Sequence, residues 1–258
     1  MANVSVIGCG NMGGALVRGL VRAGYEDVTV YDIDEDVLEP VADLGVNTTT
    51  DPVEASEADL LFVAVKPAYV GEVVESLDLD ADQTLVSVAA GVSRRVVSQH
   101  TDATVVRIMP NLAAEWGEMA VAIAGEEIND ELRHILDEVG QSVVLEEAQM
   151  DTATAVNGSG PAFVFYLIQA MAEAGSERGL EPEQARTLAA QTFKGAAEIV
   201  LQSEQDIQEL IDAVCSPKGT TIEGMAVLEE SDADEALTEA VVAAEERATE
   251  LATEVAYE

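Results

Sequence analysis

Basic side chains are scarce in this sequence. Twelve lysines and arginines stand against 50 aspartates and glutamates, a formal net charge of −38 at pH 7. Nucleic acid and anionic membranes would repel such a surface, so no nucleic-acid or membrane partner is expected. The only lysines are Lys66, Lys194 and Lys218. An acidic shell poor in lysine points to a halophilic protein, because salt screens the self-repulsion of the compact state. Histidine is nearly absent: His100 and His134 lie in charged surroundings and are expected at the surface. Cys9 and Cys215 make no disulfide framework. No Cys-x-x-Cys or His-rich spacing occurs, so no metal is expected. No long uncharged apolar run suggests a membrane span. The first strand signal begins almost at Met1, leaving no room for a signal peptide, and a cytoplasmic location is expected. Disorder is excluded too, because 48% of the chain is hydrophobic.

What is present is an alternating pattern. Val4–Ile7, Val28–Asp32, Asp59–Val65, Gln83–Val88 and Ala103–Met109 read as short apolar strands. Helical spacing follows the first at Ala15–Gly24 and recurs at Asp34–Asp43, Val70–Leu77 and Ser93–His100. Met119–Ala124 and Ser142–Leu145 add strands around a helix from Asn129 to Val139. Such alternation predicts a parallel sheet with helices on both faces.

Beyond Met150 no strand signal remains. Ala153–Glu177 is alanine-rich and broken at Gly158-Ser159-Gly160-Pro161, where Pro161 suits the first turn of a new helix. Pro182 opens another, with Ala185, Leu188, Ala189, Thr192, Phe193, Ala196, Ile199 and Val200 on one apolar face. Asp206–Val214 and Ala233–Ala256 complete the set. The expected fold is an α/β Rossmann-like dinucleotide-binding domain over residues 1–149, then an all-α domain over 150–258. The helical part is too small to cover its own apolar faces, so at least a homodimer is expected.

Gly8, Gly10 and Gly13 fit Gly-x-Gly-x-x-Gly between a strand and a helix. The first glycine allows a tight turn, the second close approach of backbone to a pyrophosphate, and the third close helix–strand packing. The helix start at Asn11 and Met12 aims N–H groups at the phosphates. Open α/β sheets bind ligands beyond the carboxyl ends of their strands. Those ends are Gly8, Asp32, Lys66-Pro67, Ala89-Ala90-Gly91 and Met109-Pro110-Asn111. Asp32 can accept from a free ribose hydroxyl and would repel a 2′-phosphate, and Ile33-Asp34-Glu35-Asp36 adds no arginine. NADH is therefore favoured over NADPH; the competing role for Asp32 is capping the next turn. Ala89, Ala90 and Gly91 either admit a nicotinamide ribose or simply pack a loop closely.

Scarce histidine bears on the chemistry. Carbonyl reduction develops an alkoxide and calls for a general acid, whereas a protonated imine already carries the charge that invites hydride. An imine site needs positioning and anion recognition instead. Cys215-Ser216-Pro217-Lys218-Gly219-Thr220-Thr221 joins a helix end to a helix start. Its N–H groups at Gly219, Thr220 and Thr221 and the hydroxyls of Ser216, Thr220 and Thr221 could hold a carboxylate. An ordinary capping turn would look the same.

These segments together resemble pyrroline-5-carboxylate reductases. The resemblance rests on Gly8–Gly13, Ala64-Val65-Lys66-Pro67, Arg107-Ile108-Met109-Pro110-Asn111, Gly158-Ser159-Gly160-Pro161-Ala162 and Ser216–Gly224. It implies reduction of Δ1-pyrroline-5-carboxylate to L-proline with NADH or NADPH, and intertwined dimers that can assemble into decamers. The cofactor would lie on Gly8–Gly13, Ala64–Pro67 and Ala89–Gly91, and the substrate carboxylate on Gly219, Thr220 and Thr221. Thr221 matches a threonine near the imine nitrogen, and Glu147 a glutamate that could steady the iminium. Three departures from the family pattern stand out. Lys218 replaces a glycine and points either outward or at the anion, Leu112-Ala113 replaces Thr-Pro beside Trp116, and Asp32 replaces polar or basic residues. Two other readings stay open: a β-hydroxy acid dehydrogenase using Lys194, and a non-catalytic dinucleotide-binding paralogue.

Overall fold

The computed structural model describes residues 3–124 and 128–256. The chain divides into two compact units. One runs through Ser159 and takes in the chain from Val242 on, and the other is Gly160–Val241.

The first unit is an eight-stranded sheet with helices between its strands. In chain order the elements are β1 (Val4–Ile7), α1 (Asn11–Arg22), β2 (Val28–Tyr31), α2 (Glu35–Ala42), β3 (Asn47–Thr49), α3 (Pro52–Ala55), β4 (Leu60–Val63) and α4 (Val70–Leu77). They continue with β5 (Thr84–Ser87), α5 (Arg94–Val97), β6 (Thr104–Met109), β7 (Met119–Ala124), α6 (Asp130–Val139), β8 (Gly140–Leu145) and α7 (Met150–Ala153). The strand order is β3-β2-β1-β4-β5-β6-β7-β8. Winding reverses between β1 and β4, so their carboxyl ends open the crevice where such sheets take ligands.

Alternation along each strand splits the core. Val4, Val6, Phe62, Val86 and Ile108 pack with Leu16, Leu20 and Leu136 on one face. Ile7, Leu61, Val63, Leu85 and Val105 pack with Val70, Val74 and Leu77 on the other. Both faces are covered, so the strands read as continuous apolar runs rather than alternating ones. Each fully buried side chain of this kind contributes about 1.5–3 kcal/mol.

Three differences from expectation have physical causes. β7 runs antiparallel to β6, so the sheet is not wholly parallel. Only a short 3₁₀ turn, Leu112–Trp116, joins these strands, and a parallel pair would need a crossover. β3 and α3 went unread because Asn47-Thr48-Thr49 is a polar edge strand with no apolar run. The boundary falls at Ser159 rather than near 150, because Met150 and Ala155 are buried and Met150 packs with Met109, Ala122 and Ala124. Between α7 and the second unit the chain makes a π turn, Thr154–Gly158. His134 is exposed, and His100 is partly exposed with its Nδ1 2.7 Å from Glu75 Oε1.

The second unit is helical: α8 (Gly160–Glu177), α9 (Pro182–Gln202), α10 (Ile207–Val214), α11 (Thr220–Glu229) and the first part of α12 (Ala233–Ala256). Pro161 sits in the first turn of α8, as its fixed φ allows. A capping box between Asp206 and Glu209 opens α10. α8 packs along α9, yet among the described residues of this unit only Ala185 and Ala189 are buried. Phe165, Tyr166, Leu188, Ile199 and Leu201 remain exposed in the single chain. So much apolar surface on rigid helices is a face for another molecule. Among the described residues no helix is long and apolar enough to cross a membrane.

Candidate active site

The dinucleotide fingerprint forms the junction its glycines imply. Gly8 leaves β1 with φ +96°, and its N–H donates to Tyr31 O at 2.7 Å. A Cβ on Gly8 would lie 2.9 Å from Ala64 O, and one on Gly13 would lie 1.8 Å from Gly8 O. Both glycines are thus required by close packing of β1, α1 and the end of β4. Gly10 differs. It caps α1 with an ordinary φ of −67°, and a Cβ there would meet no protein atom within 4 Å. The fold itself does not need glycine at this position. The space it leaves open, beside exposed Asn11, half-buried Met12 and the first N–H groups of a 12-residue helix, fits an anionic phosphate.

Asp32 closes the neighbouring strand end. Its Oδ2 accepts the Cys9 N–H at 2.7 Å and its Oδ1 the Asp34 N–H at 3.1 Å. The turn-capping role is therefore present, and the carboxylate also fastens the glycine turn. Each oxygen keeps a further lone pair for a ribose hydroxyl. Asp34, Glu35 and Asp36, all exposed, surround it with negative charge. Cys9 is buried; burial pushes its thiol up and the Asp32 charge adds to that. It stays a neutral thiol and a poor nucleophile.

The remaining strand ends lie in the same unit. Ala64 and Val65 are partly buried, Lys66 is exposed, and Pro67 starts a 3₁₀ turn. Ala89 is buried and Ala90 partly so. Gly91 has φ +74°, and a Cβ there would lie 2.8 Å from Ala252 N of α12. Close packing thus accounts for Gly91, while Ala89 and Ala90 remain small side chains at the strand edge.

Glu147, in a 3₁₀ turn after β8, is neither free nor on the open surface. Its Oε1 accepts from Arg107 Nη1 at 2.8 Å and from the Arg94 N–H at 3.3 Å. Arg107 itself is 3% exposed on β6, with Nη2 3.5 Å from Asp151 Oδ1. Glu147 Oε2 is shielded and has no hydrogen-bond partner. The sequence alone does not single out Arg107 and Asp151 as partners of Glu147. The available signal is a charge inside the apolar run Val105-Val106-Arg107-Ile108, since a buried guanidinium demands carboxylates nearby. Asn157 is not singled out either: its Nδ2 donates to Met109 O at 2.6 Å and Ala120 O at 3.0 Å. Asn111 Nδ2 returns a bond to Asn157 O at 3.2 Å, so the chain after β6 is fixed despite exposed Leu112 and Trp116.

The second unit holds the other predicted set. Gly219 N–H donates to Ser216 O at 2.8 Å, and Gly219 caps α11. A Cβ on Gly219 would lie 2.9 Å from Ser216 O, which accounts for its glycine. Thr220 and Thr221 form the first turn of α11, where N–H groups lack intrahelical partners. Lys218 is exposed and holds φ +62°, the left-handed conformation a glycine adopts without cost. The loop thus keeps a glycine-like backbone without the glycine. Lys194 is exposed in the middle of α9.

Comparison with known proteins places both parts. Residues 3–91 match the family model "NADP oxidoreductase coenzyme F420-dependent", and residues 147–251 match "Pyrroline-5-carboxylate reductase dimerisation". A pyrroline-5-carboxylate reductase of Methanosarcina acetivorans is 39% identical, over 96% of this chain and 97% of its own length. That of Escherichia coli is 34% identical over 96% and 97%. The crystal structure of a Coxiella burnetii pyrroline-5-carboxylate reductase superposes with a TM-score of 0.86 at 32% identity, covering 97% of this chain and 98% of that one. A Plasmodium falciparum pyrroline carboxylate reductase with NADP bound gives 0.84 at 27%, with the same coverage. The similarity to these relatives covers nearly the whole of this chain and of theirs, and the chain belongs to the pyrroline-5-carboxylate reductase family.

Proposed function

We propose that this chain reduces Δ1-pyrroline-5-carboxylate to L-proline, the closing step of proline biosynthesis. The observation that carries this reading is near full-length identity to reductases of that name. A bound nicotinamide cofactor would supply a hydride to the imine carbon, and the ring nitrogen keeps the proton that made it an iminium. Gly8, Gly10, Asn11, Met12 and Gly13 would hold the pyrophosphate, with Ala64–Pro67 and Ala89–Gly91 along the rest of the cofactor. The N–H groups of Gly219, Thr220 and Thr221 would take the substrate carboxylate, helped by the Ser216 hydroxyl. The Thr221 hydroxyl would orient the ring nitrogen; threonine is a poor acid, so water or the iminium itself is the better proton source. Glu147 could oppose the iminium charge only from a distance, because Oε1 is committed to Arg107 and the Arg94 N–H, and Oε2 is shielded 3.9 Å from Arg94 Nε.

The test is cofactor oxidation by purified protein with pyrroline-5-carboxylate in concentrated potassium chloride. Oxidation only with a hydroxy or keto acid pair would favour the dehydrogenase reading through Lys194. Tight NADH binding without turnover would favour a non-catalytic protein. In the same assay Asp32 and its acidic loop should make kcat/KM for NADH about tenfold or more above NADPH, ~1.4 kcal/mol. A clear NADPH preference overturns that assignment; the NADP-bound Plasmodium relative shows that the choice needs measuring.

Lys218→Gly should raise stability by about 0.5–1 kcal/mol, the left-handed strain less the extra freedom of an unfolded glycine. With the side chain facing outward, KM for the imine should change less than about twofold, ~0.4 kcal/mol. Denaturant midpoints and steady-state kinetics check both, and a large rise in KM would show direct contact. The exposed faces of α8 and α9 suit a second copy, and light scattering would show whether dimers assemble further into decamers.

A further inference from the structure

The ion pair of buried Arg107 with half-buried Glu147 forms part of a ring of contacts that reaches the chain just after the 89–91 loop. Arg107 Nη1 holds Glu147 Oε1 at 2.8 Å, and the same oxygen accepts the Arg94 N–H at 3.3 Å, at the start of α5. The chain is therefore held at Arg94, three residues after Gly91. Arg107 Nη2 lies 3.5 Å from Asp151 Oδ1, and Thr249 Oγ1 donates to Asp151 Oδ2 at 3.3 Å. A second tie joins Thr152 Oγ1 to Glu245 Oε1. Thr249 lies on α12 one turn before Ala252, the residue whose backbone would touch a Cβ on Gly91. The ring thus runs from Arg107 through Glu147 to the chain just after the loop, across to α12, and back through Asp151. All of it belongs to one unit.

We infer that Arg107 and Glu147 are positioning residues that fix the Ala89–Gly91 loop for the nicotinamide half of the cofactor, with Asp151 and α12 closing the clamp from the other side. This rests on the reading that Ala89–Gly91 borders the cofactor. The loop has a left-handed Gly91 and only small side chains, so it has no bulky anchor of its own. An arginine buried to 3% exposure inside an apolar strand is costly unless its N–H groups reach acceptors, and Nη1 reaches Glu147 Oε1. Glu147 and Asp151 in turn accept from the two segments next to the loop, Glu147 from the Arg94 N–H that opens α5 and Asp151 from Thr249 of α12.

The role requires a hydrogen-bond acceptor at 147 rather than a negative charge facing the substrate. That separates it from stabilisation of an iminium. Dissociation constants for NADH without substrate, followed by cofactor fluorescence in molar potassium chloride, provide the test. Glu147→Ala should weaken NADH binding roughly tenfold. Glu147→Gln, which keeps the acceptor and the packing, should stay within about threefold of the parent. Asp151→Asn should stay similarly close, and melting curves of all variants report whether they fold. Ala90→Val tests the underlying reading, because a larger side chain at the loop should itself weaken NADH. Weakening by Ala90→Val with unchanged binding in folded Glu147→Ala overturns the positioning role. Unchanged binding in Ala90→Val overturns the cofactor reading of the loop instead. Equal losses of kcat in Glu147→Gln and Glu147→Ala, with NADH binding intact in both, would overturn the positioning role in favour of a charge acting on substrate.

Discussion

Gly13→Ala should abolish detectable dinucleotide binding, a loss of at least about 100-fold, or ~2.7 kcal/mol. The new Cβ would lie 1.8 Å from Gly8 O and 3.4 Å from the Ala64 Cβ. No rotamer change relieves this, because the obstacle is backbone. α1 would have to retreat, yet its other end is held just as closely: a Cβ on Gly19 would lie 2.5 Å from Ala114 O. The helix also buries Ala15, Leu16, Val17 and Leu20, so moving it disturbs the core. A destabilisation of about 3 kcal/mol should accompany the loss, at the upper end of overpacking costs. Gly10→Ala supplies the contrast. Its Cβ meets nothing within 4 Å and its φ of −67° suits any residue, so its melting temperature should match the parent's. It should nonetheless weaken NADH binding, because the added methyl occupies the space in front of the helix N-terminus. Normal NADH binding by Gly10→Ala would show that the phosphates do not approach there.

The contrast between those two glycines also marks what sequence can and cannot convey. Spacing located the turn, because three glycines between an apolar strand and a helix have few other uses. It did not say which glycine the fold needs and which the ligand needs; that distinction requires the positions of Ala64 and Gly8 O. The central strands were legible because they are buried on both faces and therefore apolar throughout. β3 was not, since an edge strand of Asn and Thr buries almost nothing. β7 was legible as a strand but not in direction, because direction depends on whether the connection crosses the sheet. Asp32 stands out in the sequence as a carboxylate at a strand end, but its bonds to Cys9 and Asp34 come from folding and carry no sequence signature. Glu147 shows the limit most clearly. A lone acidic residue in a chain holding 50 of them has nothing in its local sequence to tie it to Arg107, forty positions earlier. In the second unit the Ser216–Thr221 loop was legible as a helix start, yet only its backbone showed that Lys218 takes the glycine conformation.

Lowering the salt should destabilise this protein more than any single substitution on its surface. The net charge is −38 over 258 residues, so most carboxylates have no basic partner available. The surface ion pairs, such as Arg18 with Glu115 and Arg247 with Glu250, are partly or largely exposed and individually weak. Unpaired charges repel one another over about 10 Å at 0.1 M salt but only about 3 Å at 1 M. The unfolded chain spreads the same charges farther apart, so repulsion is stronger in the native state and salt relieves it there most. The same screening favours association, because two copies of so acidic a chain repel before their apolar helices can meet. A gain of roughly 5 kcal/mol from 0.1 to 2 M potassium chloride should raise the melting temperature by about 10–20 °C. Sucrose provides the control, because it strengthens apolar burial through exclusion without screening charge. A rise in potassium chloride well above that in sucrose identifies repulsion as the cause. Equal melting temperatures at low and molar potassium chloride would show that the acidic surface is not an adaptation to salt.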